Sequence, residues 1–423
     1  MPPIKAIVFG AGVRGTLYAN FALEYPDDLK IVGVAEPDTQ RREAFAQQHG
    51  LDAKQCFTTW EDLLNAGKHA DAVINATMDR MHYASTIAAL EAGYDVLLEK
   101  PMTPILSENV SLIQTAEAQG RLLQVCHVLR YTPFFRTLRR IIDEGTLGRI
   151  ISLDHRENLA YWHMAHSFVR GNWRNSDLSS PMILTKCCHD FDILQWLLRR
   201  KVLHLNSFGS LTHFTSENAP HPDVPLRCTD GCPVAETCKY DAQRFYGTDN
   251  PGWPHEVVTP IATREARLET LRTSPYGRCV YHCDNNVVDH QTVNLQYEDD
   301  ITATLIMNGQ GHEESRSIRI DGTNATLTGK FRDPYKINIY HHHTGKKETV
   351  PVEFIERSGH GGGDTGLMRG FVNALRGIPD DSLTTARESL ESHLLAFAAE
   401  EARLKHTVID MTAYRHHVEG LYR

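Results

Sequence analysis

Short apolar runs alternate with helical segments through the first third of the chain. Residues 4–9, 31–35, 70–76, 94–98 and 122–126 are apolar stretches of strand length. Between them, helical runs lead from Gly15 to about Glu24 and cover 60–65, 82–92 (closed by Gly93) and 107–119 (closed by Gly120). Strands with continuous apolar sequence are those buried on both faces, and this regular alternation predicts a parallel sheet with helices on both sides. Residues 1–130 are therefore expected to form a doubly wound, Rossmann-type α/β domain.

Beyond residue 131 the period changes. Residues 134–144 and 181–198 read as helices, and 149–158 and 202–212 as strands. Residues 287–307 alternate over two strands with a turn at Glu298-Asp299-Asp300. Asp321-Gly322-Thr323-Asn324 reads as a hairpin turn between 317–320 and 325–328, and 336–340 adds a strand. Helices follow at 365–375, with Asp364 as their cap, and at 382–404, before a short final strand or tail at 408–411. The expectation for 131–423 is an α+β domain with an open, largely antiparallel sheet that also carries homo-oligomer contacts. His360-Gly361-Gly362-Gly363-Asp364 reads as a glycine-rich segment able to close over a site.

Composition narrows the class. A chain of 423 residues is too long for one ordinary core. Hydrophobic residues make up 41% and charged residues 23%, a globular balance. The formal net charge of −9 argues against nucleic acid as a partner. No apolar run approaches the roughly 18 residues of a membrane span. The N-terminus leads straight into a strand with no cleavage site after it, so a cytoplasmic location is expected.

Chemistry collects at the strand ends. Gly10-Ala11-Gly12-Val13-Arg14-Gly15 is a G-x-G-x-x-G turn between a strand and a helix, the context that such a turn needs to hold a dinucleotide pyrophosphate. Glu36, roughly 20 residues further on, suits the adenosine ribose hydroxyls and would repel a 2′-phosphate, which favours NAD over NADP. Arg41 and Arg42 read as a solvated helix face. Thr77, Lys100 and His127 also fall at strand ends, where ligands of such sheets sit. Val96-Leu97-Leu98-Glu99-Lys100-Pro101 is the informative run: an apolar strand stopping at an acid, a base and a proline.

The glycine turn, the Glu36-Pro37-Asp38 strand end, Ala76-Thr77 with His82, and the run from Ala92 to Pro101 together resemble the Gfo/Idh/MocA oxidoreductases, which include inositol dehydrogenases and glucose-fructose oxidoreductase. The resemblance implies NAD bound by Gly10, Gly12, Val13, Arg14, Gly15, Glu36, Thr77, His82, Glu99 and Lys100. It implies that Lys100 hydrogen-bonds the reacting oxygen and that the peptide before Pro101 is cis. It identifies His189, three residues before Asp192 on one helix face, as general acid or base; Arg130 and Lys186 are counted with it among the expected substrate contacts. One departure stands out: the family often has an aspartate four residues before this histidine, and here the residue is Thr185, beside Lys186. The implied activity is hydride transfer between nicotinamide and a carbinol of a sugar, polyol or glycoside. Two other readings stay open: an NAD-dependent glycosidase working through transient oxidation and elimination, and a non-catalytic NAD or sugar sensor.

Two segments do not follow from the resemblance. Residues 161–174 are rich in aromatic, His and Arg side chains without a clean period. Tyr161, His163, Arg170 and Trp173 there read as sugar contacts or, equally, as an interface or lid. Five of the nine cysteines fall between residues 228 and 283, inside an insertion at about 214–285. Cys228, Cys232, Cys238 and Cys283 are candidate ligands of a structural zinc, with an iron–sulfur cluster or simple burial as alternatives.

Overall fold

The computed structural model describes residues 1–352 and 359–420. Among the described residues six strands form a parallel sheet: β1 (Ile4–Phe9), β2 (Leu29–Ala35), β3 (Cys56–Phe57), β4 (Ala72–Asn75), β5 (Asp95–Leu98) and β6 (Leu123–Val125). Their order is β3-β2-β1-β4-β5-β6, so the order reverses beside β1, where the crevice of such a sheet opens. Val8 is paired with Val34 on one side and Ile74 on the other, and Ala6 to Phe9 are wholly buried. That is why these strands read as unbroken apolar runs.

Nine strands form the second sheet among the described residues: β7 (Ile150–Ala160), β8 (Val202–Ser210), β9 (His290–Tyr297), β10 (Thr302–Gly311), β11 (Ser315–Gly322), β12 (Ala325–Phe331), β13 (Lys336–His341), β14 (Lys347–Val350) and β15 (Ile409–Asp410). All neighbours are antiparallel except β7 and β10. Leu153, His155, Glu157 and Leu159 of β7 face inward, and Asp154 and Arg156 face out. Over the inner face lies the helix Met182–Leu198, almost wholly buried, with Thr185, Lys186, His189, Asp190 and Asp192 set among apolar residues. It packs on β7, on β10 and on the helix Ala386–Lys405.

The N-terminal sheet is stitched at β6 to the segment leading into the helix Ala386–Lys405. The Val125 amide donates to Thr384 O at 2.8 Å, and Gln124 bridges to Thr385. No helix among the described residues is long and apolar enough to cross a membrane.

The structure departs from the sequence expectation in three places. The aromatic-rich segment, which has no clean period in sequence, is helical: a turn at Tyr161–His163 runs into the π-helix Met164–Arg170, whose His166 ring packs against Trp253 and Tyr276 of the insertion. Asp364 is not the helix cap. Gly362 takes that position, and the buried Asp364 carboxylate is drawn to Arg14 and His360. The tail continues past β15 into the helix Met411–Gly420.

Candidate active site

The glycine turn has the shape a pyrophosphate requires. Gly10 has φ +84°, and a Cβ there would stand 2.7 Å from Ala76 O. Gly15 lies too close to Gly10 O for any side chain. Gly12 is the opposite case, with nothing within 4 Å of where its Cβ would be. It starts the helix Val13–Ala19 without a side-chain cap or an acid in the first turn. A bare helix start with a bare backbone fits a phosphate. Glu36 is buried at the end of β2 and accepts from Ala11 N (2.8 Å) and Asp38 N (3.0 Å), which fixes its carboxylate beside the turn. Arg42 donates to Glu36 O at 2.6 Å and so is occupied at the strand end.

The ends of β4 and β5 are tied together by His82. Its ring nitrogens lie 3.0 Å from Thr77 O and 2.8 Å from Pro101 O, and the residue is buried. Thr77 itself is held by Asn75 Oδ1 at 2.8 Å. The Lys100–Pro101 peptide is cis. Glu99 turns inward, accepting from Tyr18 Oη (2.6 Å) and Arg14 Nε (3.4 Å). Burial pushes its pKa up, but Arg14, Lys100 and Tyr18 outweigh that and hold it below the usual range.

Lys100 points the other way. Its Nζ donates to Thr185 O at 3.1 Å, one turn before His189 on the buried helix. The ammonium and the imidazole therefore share a helix face. Burial, then the charge of Lys100, drive the pKa of His189 well below its ordinary value. The ring is a neutral base at physiological pH, and its Nδ1 has no hydrogen-bond partner among the described residues.

The other expected residues divide into two groups. Lys186 stays near the site, 3.3 Å from Glu157 Oε1. Glu157 also pairs with Arg316 (2.7 Å), which reaches Asp190 (2.8 Å), and Asp190 meets His155 Nε2 (2.7 Å). Burial raises the pKa of Glu157; it also pushes Asp190 up, but Arg316 and His155 keep that carboxyl below the usual range. His163 lies 2.8 Å from Glu314 Oε1, and burial and the Lys186 charge lower its pKa. Tyr161 packs its ring 5.9 Å from Tyr240.

Four side chains turn elsewhere. Arg130 is clamped to Asp192 by two bonds of 2.7 and 2.6 Å. Arg170 is buried in the insertion, donating to Arg278 O and Tyr240 O, both at 2.7 Å. Trp173 donates to Asp79 Oδ1 at 3.3 Å across the two halves of the chain. Arg14 points away from the glycine turn, to Asp364 Oδ1 at 2.6 Å, with its guanidinium over the Tyr18 ring.

His360 and His127 were located by the sequence, in the glycine-rich segment and at a strand end, but given no individual role at the site. His360 Nδ1 lies 2.9 Å from Asp364 Oδ2, and its ring centroid is 6.2 Å from that of His189. The glycine-rich stretch around it was the available signal. His127 lies at a strand end, with its ring centroid 5.5 Å from that of His189.

The zinc expectation needs correction. Cys228, Cys232, Cys238 and Cys279 line one cavity of about 10 Å³, whereas Cys283 bonds back to Cys279 O at 3.2 Å. Among the described residues, no three His, Cys, Asp or Glu side chains are arranged to hold a metal. Burial raises the pKa of Cys238 and Cys283 and takes Cys279 to about 11. Cys228 packs instead with Ala242, Tyr246, Val258 and Leu271.

The chain matches two family models: residues 4–127 an oxidoreductase family model described as an NAD-binding Rossmann fold, and residues 139–411 its C-terminal alpha/beta domain. YteT of Bacillus subtilis (strain 168) is 26% identical over 327 residues, 73% of each chain. Inositol 2-dehydrogenase 4 of Saccharopolyspora erythraea is 31% identical over 205 residues, 47% of this chain and 55% of that one, so the match spans about half of that relative's length. A crystal structure of an inositol dehydrogenase homolog complexed with NAD+ from Azotobacter vinelandii superposes with a TM-score of 0.70 at 17% identity, covering 97% of both chains. At that identity the likeness speaks for the fold.

Proposed function

The chain belongs to the GFO_IDH_MocA oxidoreductase family, and from that premise we propose that it is an NAD(H)-dependent dehydrogenase of a polyol or sugar carbinol, with Lys100 and His189 as its catalytic residues. The observation that carries this reading is the 3.1 Å bond from Lys100 Nζ to Thr185 O, which sets the ammonium one turn from a neutral, buried histidine at the crevice of the parallel sheet. Gly10, Gly12, Val13, Gly15, Glu36 and Thr77 line the place for the dinucleotide, and Glu36 is the reason to prefer NAD to NADP. His82, Glu99 and Arg14 act there through other groups, by fixing the turns. Bound NAD+ supplies the acceptor for the carbinol hydride. Lys100 donates to the hydroxyl oxygen and stabilises the negative charge that develops on it. His189 removes the hydroxyl proton as general base. His163 and Lys186 stand beside this pair as substrate contacts, Tyr161 more distantly.

The polyol assignment draws support from inositol dehydrogenases among the relatives. Self-association is assigned to the outward face of the nine-stranded sheet, where Phe208 and Tyr340 stand 60% and 40% exposed. Cytoplasmic location belongs to the same proposal.

A panel of inositols, aldoses, sugar acids and aryl glycosides, followed both for NADH absorbance and for glycoside cleavage, tests the function. NADH formation with an inositol or sugar supports it. Glycoside cleavage without net NADH, or no turnover of any member, counts against it.

A further inference from the structure

Four histidine rings form a row around the proposed base: His360, His189, His127 and His393, with successive centroids 6.2, 5.5 and 5.6 Å apart. Hydrogen bonding along the inner part of the row decides which nitrogens carry protons. The Met102 amide lies 3.0 Å from His393 Nε2. A backbone amide only donates, so that nitrogen is a lone pair. The neutral ring then carries its proton on Nδ1, 2.8 Å from Ser389 O. Burial keeps His393 neutral, with a pKa of about 3. Ser392 Oγ donates to the same carbonyl at 2.8 Å, which leaves its lone pairs for His127 Nε2, 3.4 Å away. His127 Nε2 is therefore the protonated nitrogen, and its Nδ1 is a bare acceptor. His127 is wholly buried, and burial takes its pKa to about 4.

Among the described residues that bare Nδ1 has no partner, and neither has the Nδ1 of His189 on the adjacent, edge-on ring. Buried polar atoms are rarely left alone. A bare acceptor beside a nitrogen able to carry a proton satisfies both.

We propose that His127 is the positioning residue of His189: the Nδ1–H of His189 is held toward the Nδ1 of His127 through one bridging water, which leaves Nε2 of His189 as the lone pair that accepts the substrate proton. Selecting the tautomer is what a buried carboxylate does in hydrolytic triads. Here the acceptor is neutral, and Thr185, in place of the expected aspartate, has its hydroxyl on Ser180 Oγ. The row also returns to the lysine, because the Met102 amide that starts it lies just beyond Lys100-Pro101.

The inference rests on His189 being the base, so its test reads the tautomer without turnover. Protein labelled with ¹⁵N-histidine and saturated with NAD+ is examined by NMR at pH 7, with His189 assigned from the signals lost in His189→Gln. The expected result is a protonated Nδ1 and a bare Nε2. His127→Asn, whose amide oxygen replaces the Nδ1 acceptor, keeps that tautomer and holds kcat within about fivefold. His127→Leu shifts His189 toward the Nε2–H form and lowers kcat about 100-fold, with KM for the screened substrate within about twofold. An Nε2–H tautomer in the unsubstituted protein, or an unchanged tautomer in His127→Leu, overturns the assignment. If His189→Gln retained full turnover, the base reading would fall, while the NMR result would still judge the pairing.

Discussion

Lys100 and His189 reach the same point by different constructions. Lys100 is delivered by a strand: β5 is buried to Leu98, the chain turns at Pro101, and His82 pins that turn to the end of β4. His189 is delivered by a helix from the other half, and its ring is surrounded by groups from residues 100, 127, 316 and 360. Topology alone puts the lysine in the crevice. The histidine depends on where its neighbours hold their protons. The lysine side is therefore vulnerable to loss of a group, whereas the histidine side is vulnerable to a change that moves no heavy atom.

The largest expected effect breaks the lysine side. Lys100→Met should lower kcat about 10³-fold with an unchanged urea midpoint, because a strand-end ammonium adds chemistry rather than packing. A variant with unaltered turnover would remove Lys100 from the mechanism.

Next comes the clasp that joins the halves. Asp364 is buried, and Arg14 and His360 overcome its burial to hold its pKa well below the carboxylate range. Asp364→Ala strips Arg14 of its best partner and should destabilise the protein by about 3 kcal/mol in urea unfolding. A loss below ~0.5 kcal/mol, the range of surface substitutions, would mean that the clasp is ornamental.

The histidine side predicts a pH dependence. His127 has a pKa of about 4 and His393 of about 3 in the folded protein, against about 6.5 in an unfolded chain. Between those values the unfolded state binds the proton and the folded state does not. Stability is thus full above pH 6.5 and falls as the pH drops toward 4, by about 1.4 kcal/mol per pH unit for each ring. Urea unfolding at pH 7, 6 and 5 should show this, with about half of the two-ring slope lost in His127→Asn. A flat profile over that range would contradict burial of neutral histidines.

The smallest effect concerns the cofactor. Glu36→Gln keeps an acceptor for Ala11 N but loses the charge, so KM for NAD+ should rise only about tenfold or less and discrimination against NADP+ should weaken. Unchanged discrimination would return the cofactor preference to other residues.

The parallel sheet, its glycine turn and the position of Lys100 were legible because unbroken apolar runs report burial on both faces, and strand ends then follow. The His189 helix was legible from its apolar length. What the side chains do was legible only where the partner is local. Arg130 bonds to a residue 62 positions away, Arg170 to one 108 away and Arg14 to one 350 away. Each was a reasonable substrate or cofactor contact by type, and each is held by a carboxylate or carbonyl that only the packed chain brings near. The cysteine spacing misled for a related reason: thiols close in sequence packed as small apolar groups.

The central claim is that Lys100 and His189 act as one unit on a single hydroxyl, and a double-mutant cycle tests it most directly. NADH formation would be measured for Lys100→Met, His189→Asn and the double variant on the best substrate of the panel. Residues acting on the same oxygen and proton are non-additive, so each single variant should lose about 10³-fold in kcat/KM and the double no more than about tenfold beyond the weaker single. A double variant that loses the full product of the two single effects, or a single variant with normal turnover, would contradict the account.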